Sequence, residues 1–166
     1  MLDAQGLIEK HKSKSVIIDA NLLVLLVVGR VNRKRIIDFK RTQSFTIADF
    51  DLLEGLIRWF GAPIISTPHI LSQVSDLTDL KGAEGPAARR LLRDMIDAID
   101  ERYGAAKNLT GHFCFEPFGL GDAAIASVSE RRALVVTVDL QLHFALQAKG
   151  LECINFNHIR QFGPRR

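Results

Sequence analysis

Three aspartates in this sequence stand where an apolar run passes into a segment of helical period. Asp19 ends the run VIID, Asp139 ends the run LVVTVD, and Asp122 lies in the turn GLGD before AAIASVSE. In an open α/β sheet, sites form beyond the carboxyl ends of the strands, so we expect these carboxylates at one edge of a sheet. Carboxylates that share a crevice repel one another unless a cation or a proton offsets their charge. Oxygen ligands suit Mg²⁺ or Mn²⁺, and such a site predicts metal-assisted hydrolysis of a phosphodiester.

Each aspartate also has a structural explanation. Asp and Asn are preferred at helix N-caps because their side chains accept hydrogen bonds from free backbone NH groups. Asp19 or Asn21, Asp122 and Asp139 all stand close to the start of a helical segment. The repeated order of strand, acid and helix favours a shared site, but at the level of sequence both explanations stay open.

The strands that must position these acids are short apolar runs. Runs rich in Val and Ile predict strands that are buried on both faces of a parallel sheet. Two weaker runs bring the predicted count to five. The strong runs are 16–19, 63–66 and 134–139, and the weaker ones are 113–116 and 152–156.

Helical segments alternate with these runs, which is the pattern of an α/β domain. One helix is closed by Gly61 and another opens at Pro68, as helix end signals predict. We find no repeat or interdomain linker, so we predict a single domain over residues 1–166. The predicted helices are IADFDLLEGLIRWFG, TPHILSQVSDL, GPAARRLLRDMIDAIDERYG, AIASVSERR and QLHFALQAKG.

Composition describes an ordinary globular protein. Hydrophobic residues make up 47% of the chain and charged residues 25%, with a net charge of +3 that permits a nucleic-acid partner. Cys114 and Cys153 have no metal-ligand spacing, the start of the chain lacks the apolar core of a signal peptide, and LLVLLVV is too short to span a membrane. We therefore expect a soluble, cytoplasmic protein with two reduced, buried thiols.

The segment 29–46 is the least periodic part of the chain and predicts a basic loop or small subdomain. Its cations could bind backbone phosphates of a nucleic acid near the acidic crevice. A solvated loop explains them equally well. The six cations are Arg30, Arg33, Lys34, Arg35, Lys40 and Arg41, of which we assign the first four as candidate RNA-binding residues.

Four stretches in this order resemble the signature of a PIN domain, the metal-dependent nuclease family that includes VapC-type toxins: VIIDANLL, TPHILSQV, GLGDAAI and VVTVDLQL. The resemblance covers roughly residues 15 to 156 and implies an α/β/α sandwich around a mostly parallel sheet. It implies that Asp19, Asp122 and Asp139 bind Mg²⁺ or Mn²⁺, with Asn21 and Thr137 in support. It also implies cleavage of single-stranded RNA, a homodimer, and the role of toxin beside an antitoxin protein.

The sequence departs from the family pattern at two positions. The family usually carries a Glu on the helix after the second strand, where this chain has Gln73. A carboxamide offers a neutral oxygen, so the site should hold Mg²⁺ less tightly. Many members have an Asp or Asn where this chain has Gln141. Asp76 lies one turn beyond Gln73 and is either a partial substitute or, more simply, a surface residue.

Three functions are consistent with these observations. The preferred one is a metal-dependent endoribonuclease in which Asp19, Asp122, Asp139 and Gln73 form the catalytic site. A catalytically weakened PIN domain that binds RNA or protein is the second, and Gln73 supports it. The third is a protein-interaction or phosphatase-like α/β domain.

Overall fold

All five strands of the central sheet run parallel, in the order β3-β2-β1-β4-β5. This arrangement is seen in a computed structural model, which describes residues 3–160. Helices flank the sheet, and the architecture is the predicted three-layer α/β/α sandwich. The strands are β1 Val16–Ile18, β2 Ile65–Ser66, β3 Asp100–Glu101, β4 Leu134–Thr137 and β5 Cys153–Asn155.

The two central strands, β1 and β4, are level with each other at their carboxyl ends. Ile18 is in register with Val136, so the next residue on each strand, Asp19 and Thr137, also meets its counterpart. Every residue of β1 and β4 is at most 2% exposed, because helices cover both faces of the sheet. The register therefore places the chemistry-bearing residues directly beyond a rigid core.

Eleven helices lie within the described part of the chain, and α2 is the most deeply buried of the long ones. It packs against α4, α5 and α6, while α9 packs against α5 and β4. The helices are α1 Ala4–Lys10, α2 Ala20–Val31, α3 Arg35–Asp38, α4 Ile47–Phe60, α5 Pro68–Leu77, α6 Glu84–Ala98, α7 Ala106–Leu109, α8 Phe115–Phe118, α9 Leu120–Ser129, α10 Leu140–Ala148 and α11 Phe156–Arg160.

The aliphatic run LLVLLVV forms the buried middle of α2. At Gly29 this helix approaches α4 so closely that a Cβ atom would lie 2.4 Å from the ring of Phe50. Over residues 3–160, no helix is long and apolar enough to cross a membrane. Cys114 and Cys153 are free and buried, as expected.

The end of α4 at Gly61 and the start of α5 at Pro68 were predicted correctly. Thr46 and Asp49 form a reciprocal capping box at the start of α4, and Gly61 ends the helix with a φ of +63°. Thr67 caps α5, with Pro68 at its first position. These short-range interactions fix where the helices leave the sheet.

One predicted strand is wrong. Residues 113–116 lie in a turn and in the start of α8, where the amide of Phe118 donates to the carbonyl of Cys114. The carbonyl of Phe115 likewise accepts from the amide of Gly119, so these groups are used within the helical turn and are not available to a strand ladder. The fifth strand is β3, at the end of the segment predicted as one long helix, and α6 stops at Ala98.

Candidate active site

Asp19 joins the two central strands at their carboxyl ends. One of its oxygens accepts a hydrogen bond from the amide of Leu22 at 2.9 Å and so caps α2. The other accepts from the hydroxyl of Thr137 at 2.5 Å and from the amide of Val138 at 2.8 Å. Burial raises the pKa of Asp19 and outweighs these hydrogen bonds, which lower it, while the charge of Asp139 raises it further.

Asp139 is the exposed member of the group and caps α10. One carboxylate oxygen accepts from the amides of Gln141 at 2.8 Å and Leu142 at 3.0 Å. The amide of Asp139 donates to the hydroxyl oxygen of Thr137 at 3.0 Å, so Thr137 links Asp19 to Asp139. Within residues 3–160, the second carboxylate oxygen of Asp139 accepts no hydrogen bond.

Asp122 differs from the other two because it caps nothing. Gly119 occupies the N-cap position of α9, with a φ of +90°, and Asp122 lies in the first turn. No donor in the described chain reaches its partly buried carboxyl. Burial raises the pKa of Asp122 to about 7, and the charges of Asp139 and then Asp19 add to the effect.

The three aspartates therefore lie at one edge of the sheet, close enough for the charge of Asp139 to raise the pKa of both Asp19 and Asp122. The capping explanation is correct for Asp19 and Asp139, and it does not apply to Asp122. The capping role does not keep Asp19 and Asp139 apart. The strands that precede α2 and α10 are the neighbours β1 and β4, so the two helices begin side by side.

Gln73 lies beside the turn that carries Asp122. A Cβ atom on Gly121 would be 3.0 Å from the side-chain oxygen of Gln73, so the amide packs against the start of α9. Gln73 is exposed, and so are Asn21 in the first turn of α2 and Gln141 in the first turn of α10. Gln73 thus adds a neutral polar side chain next to Asp122.

The oxygen donors at this edge fit a hard divalent cation by chemical type. Asp122 has two free oxygens and Asp139 has one, and the Asp19 oxygen that caps α2 keeps a lone pair after accepting a single bond. Across residues 3–160, no three His, Cys, Asp or Glu side chains are already gathered around one metal position. The donors are therefore suitable in kind but are not preorganised around a single point.

Two asparagines that sequence reasoning missed support the site from the end of β5 and the start of α11. The side chain of Asn157 donates to the carbonyl of Val138 at 3.0 Å, next to Asp139. Asn155 is 1% exposed, and its oxygen accepts from the amide of Asn157 at 2.9 Å. Their position at the end of the predicted strand 152–156 and directly after it was the available signal, since polar residues at strand ends were the basis for selecting the aspartates.

The basic residues predicted to bind RNA lie away from the aspartates. The 12 residues of α2 span about 18 Å, and Arg30 is at the end opposite Asp19. Each arginine of this group contacts a carboxylate, and Lys34 is exposed. The ion pairs are Arg30 with Glu54 at 2.5 Å, Arg33 with Asp51 at 2.7 Å and Arg35 with Glu84 at 2.6 Å.

The segment 29–46 is accordingly more ordered than predicted. It contains the end of α2, the short helix α3 and a set of turns that bury Ile36 and Phe45. The hydroxyl of the buried Thr42 donates to the carbonyl of Ile36 at 2.8 Å. Its ion pairs give the arginines a structural role, and contact with RNA stays a prediction.

Comparison of the sequence with models of protein families and with curated proteins finds no match.

Proposed function

We propose that this protein is a metal-dependent endoribonuclease of the PIN type that hydrolyses phosphodiester bonds in single-stranded RNA. The observation that carries the proposal is the environment of Asp122. Its carboxyl is partly buried beside two other carboxyls and receives no hydrogen bond from the described residues. Such an arrangement is unfavourable for the protein alone, and a bound cation would offset it.

In this proposal Asp19, Asp122 and Asp139 hold Mg²⁺ or Mn²⁺. When bound, such an ion lowers the pKa of water and offsets negative charge at the attacked phosphate. Thr137 keeps the carboxylate of Asp19 fixed and anchors the backbone at Asp139, so the two acids keep one relative position. Asp122 would hold the cation as its ionised carboxylate, because that is the ligand form.

A second candidate is a weakened PIN domain that binds RNA or protein without cutting. The observation that favours it is Gln73, whose amide rather than a carboxylate lies beside the turn of Asp122. Under this alternative the three aspartates bind the cation weakly, and cleavage is absent or slow.

The biological setting of the proposal follows the resemblance to PIN domains. We propose a cytoplasmic toxin that acts as a homodimer and is neutralised by an antitoxin protein. Size-exclusion chromatography with light scattering tests the dimer, and a monomer at micromolar concentration would contradict it.

Cleavage of a mixed pool of single-stranded RNA with Mn²⁺ or Mg²⁺ tests the proposed activity. The wild-type protein is compared with Gln73→Glu, with Asp122→Asn and with Asp19→Asn. Cleavage by the wild type that Asp122→Asn abolishes supports the nuclease. Cleavage by Gln73→Glu alone supports the weakened domain, and no cleavage by either rejects the nuclease function.

A further inference from the structure

A pocket lies beside α9, the helix whose first turn carries Asp122. Its volume is about 300 Å³, within the size range of small ligand pockets. The residues after β3 form one side and one face of α9 forms the other. The lining includes Arg102, Tyr103 and Gly104 after β3, and Ser127 and Arg131 on the side of α9.

Tyr103 presents an aromatic ring at this pocket. It is 78% exposed, which is unusual for a large ring on a protein surface. The backbone on each side of Tyr103 is held in place. The amide of Arg102 donates to the carbonyl of Ser66 at 2.8 Å, and the ring of His69 donates to the carbonyl of Gly104 at 2.9 Å. The ring is therefore exposed on a fixed support.

The charges at the pocket are two cations and one anion, Glu101. The guanidinium of Arg102 contacts Asp100 at 2.8 Å. Arg131 is exposed and pairs with no carboxylate of the described chain. Arg131 is thus the cation of this pocket that is available to a phosphate.

The pocket and Asp122 share one supporting element, the helix α9. Asp122 lies in the first turn of α9, and Ser127 lines the pocket further along the same helix. In the sheet, β3 lies two strands from β1, which is roughly 10 Å at the usual spacing. One extended nucleic-acid strand can therefore reach from the aspartates to the pocket.

We propose that this pocket binds a nucleobase of single-stranded RNA, stacked on Tyr103, with Arg131 on the adjoining phosphate. The inference takes its ligand from the proposed function and adds a subsite that positions the strand. Stacking on an aromatic ring suits unpaired bases of any sequence, and a guanidinium suits a phosphate.

Binding of a short, fluorescein-labelled single-stranded RNA tests the subsite, measured by anisotropy in EDTA so that cleavage plays no part. Tyr103→Ala is expected to weaken binding by about 5- to 100-fold, and Tyr103→Phe by less than about 3-fold, since the ring remains. Arg131→Gln is expected to lower the slope of log affinity against log salt by about 0.7. Phe144→Ala, which removes an aromatic ring that is 57% exposed outside the pocket, is the matched control.

Several outcomes would overturn the subsite. One is that the wild-type protein binds no RNA. Another is that Tyr103→Ala binds RNA as tightly as the wild type, and a third is that Phe144→Ala weakens binding while Tyr103→Ala does not. Competition by adenosine monophosphate as strong as by unlabelled RNA would make a free nucleotide the ligand and would also overturn it. RNA binding that depends on Tyr103 without any cleavage leaves the subsite standing and rejects the nuclease. RNA cleavage that Tyr103→Ala leaves unchanged, together with unchanged RNA binding, supports the nuclease and rejects the subsite.

Discussion

The hydroxyl of Thr137 donates a hydrogen bond to the carboxylate of Asp19 across the two central strands. The same hydroxyl oxygen accepts from the amide of Asp139 at 3.0 Å. A single 0%-exposed side chain therefore sets the relative position of two aspartates that belong to different strand-helix junctions.

Replacing Thr137 with Val is expected to destabilise the protein. The change keeps the shape, removes one of the three hydrogen bonds that Asp19 accepts and leaves the amide of Asp139 without its partner. The free energy of unfolding should therefore fall by about 1 to 3 kcal/mol. Thr137→Ser keeps the hydroxyl and loses one buried methyl, with an expected cost of about 1 kcal/mol. Urea unfolding measures both, and a Val variant as stable as the wild type would contradict the role of this hydroxyl.

Asp122 predicts a pH-dependent stability of the metal-free protein. Its pKa rises from 3.8 to about 7 on folding, so the folded state favours the protonated carboxyl. The stability that comes from this protonated carboxyl is fully present below the unfolded pKa and is lost as the pH rises through about 7. Asp122→Asn should therefore stabilise the protein at about pH 8 by about 1 to 2 kcal/mol, less than the full linkage because the group is partly exposed.

The same variant should have a much smaller effect at about pH 4, where the folded carboxyl is protonated and the unfolded one is only about half ionised. Unfolding in EDTA at the two pH values measures the difference. An Asn variant that is equally stabilising at both pH values, or destabilising at about pH 8, would contradict the environment described for Asp122.

Gly29 lets α2 pack closely against α4, so a larger residue at this position is expected to destabilise the protein. A methyl group there meets the buried ring of Phe50, so Gly29→Ala should lower the free energy of unfolding by about 1 to 3 kcal/mol. Gly55, on α4, has no atom within 4 Å of its Cβ position, and Gly55→Ala should stabilise by about 0.5 to 1 kcal/mol. Thermal unfolding separates the two, and a Gly29→Ala variant of wild-type stability would mean that α2 and α4 are less tightly packed.

The parts of the fold that could be predicted are those with strong local signals. Val16–Ile18 and Leu134–Thr137 are β-branched, apolar runs, and Gly61 and Pro68 mark helix ends. The strand Asp100–Glu101 has no such signal, because it is polar and is an outermost strand of the sheet. Its pairing with β2 is a long-range interaction that periodicity cannot show.

The site could be predicted only at the level of residue type. The order of strand, acid and helix selected Asp19, Asp122 and Asp139, but the same pattern could not distinguish the two caps from the uncapped Asp122. That distinction depends on Gly119, whose positive φ starts α9 three residues earlier. The ion pair of Arg35 with Glu84 joins residues far apart in sequence, so a local reading could only describe Arg35 as basic.

Binding of Mn²⁺ tests most directly whether the three aspartates form one cation site. Isothermal titration calorimetry at about pH 8 should show one ion per chain for the wild type, because this pH lies above the pKa of about 7 at Asp122 and its ionised carboxylate is the ligand form. Asp122→Asn and Asp139→Asn should each lower the affinity at least about tenfold, while Asp97→Asn, which removes an exposed acid on α6, should leave it unchanged. No binding by the wild type, or equal loss with Asp97→Asn, would contradict the account.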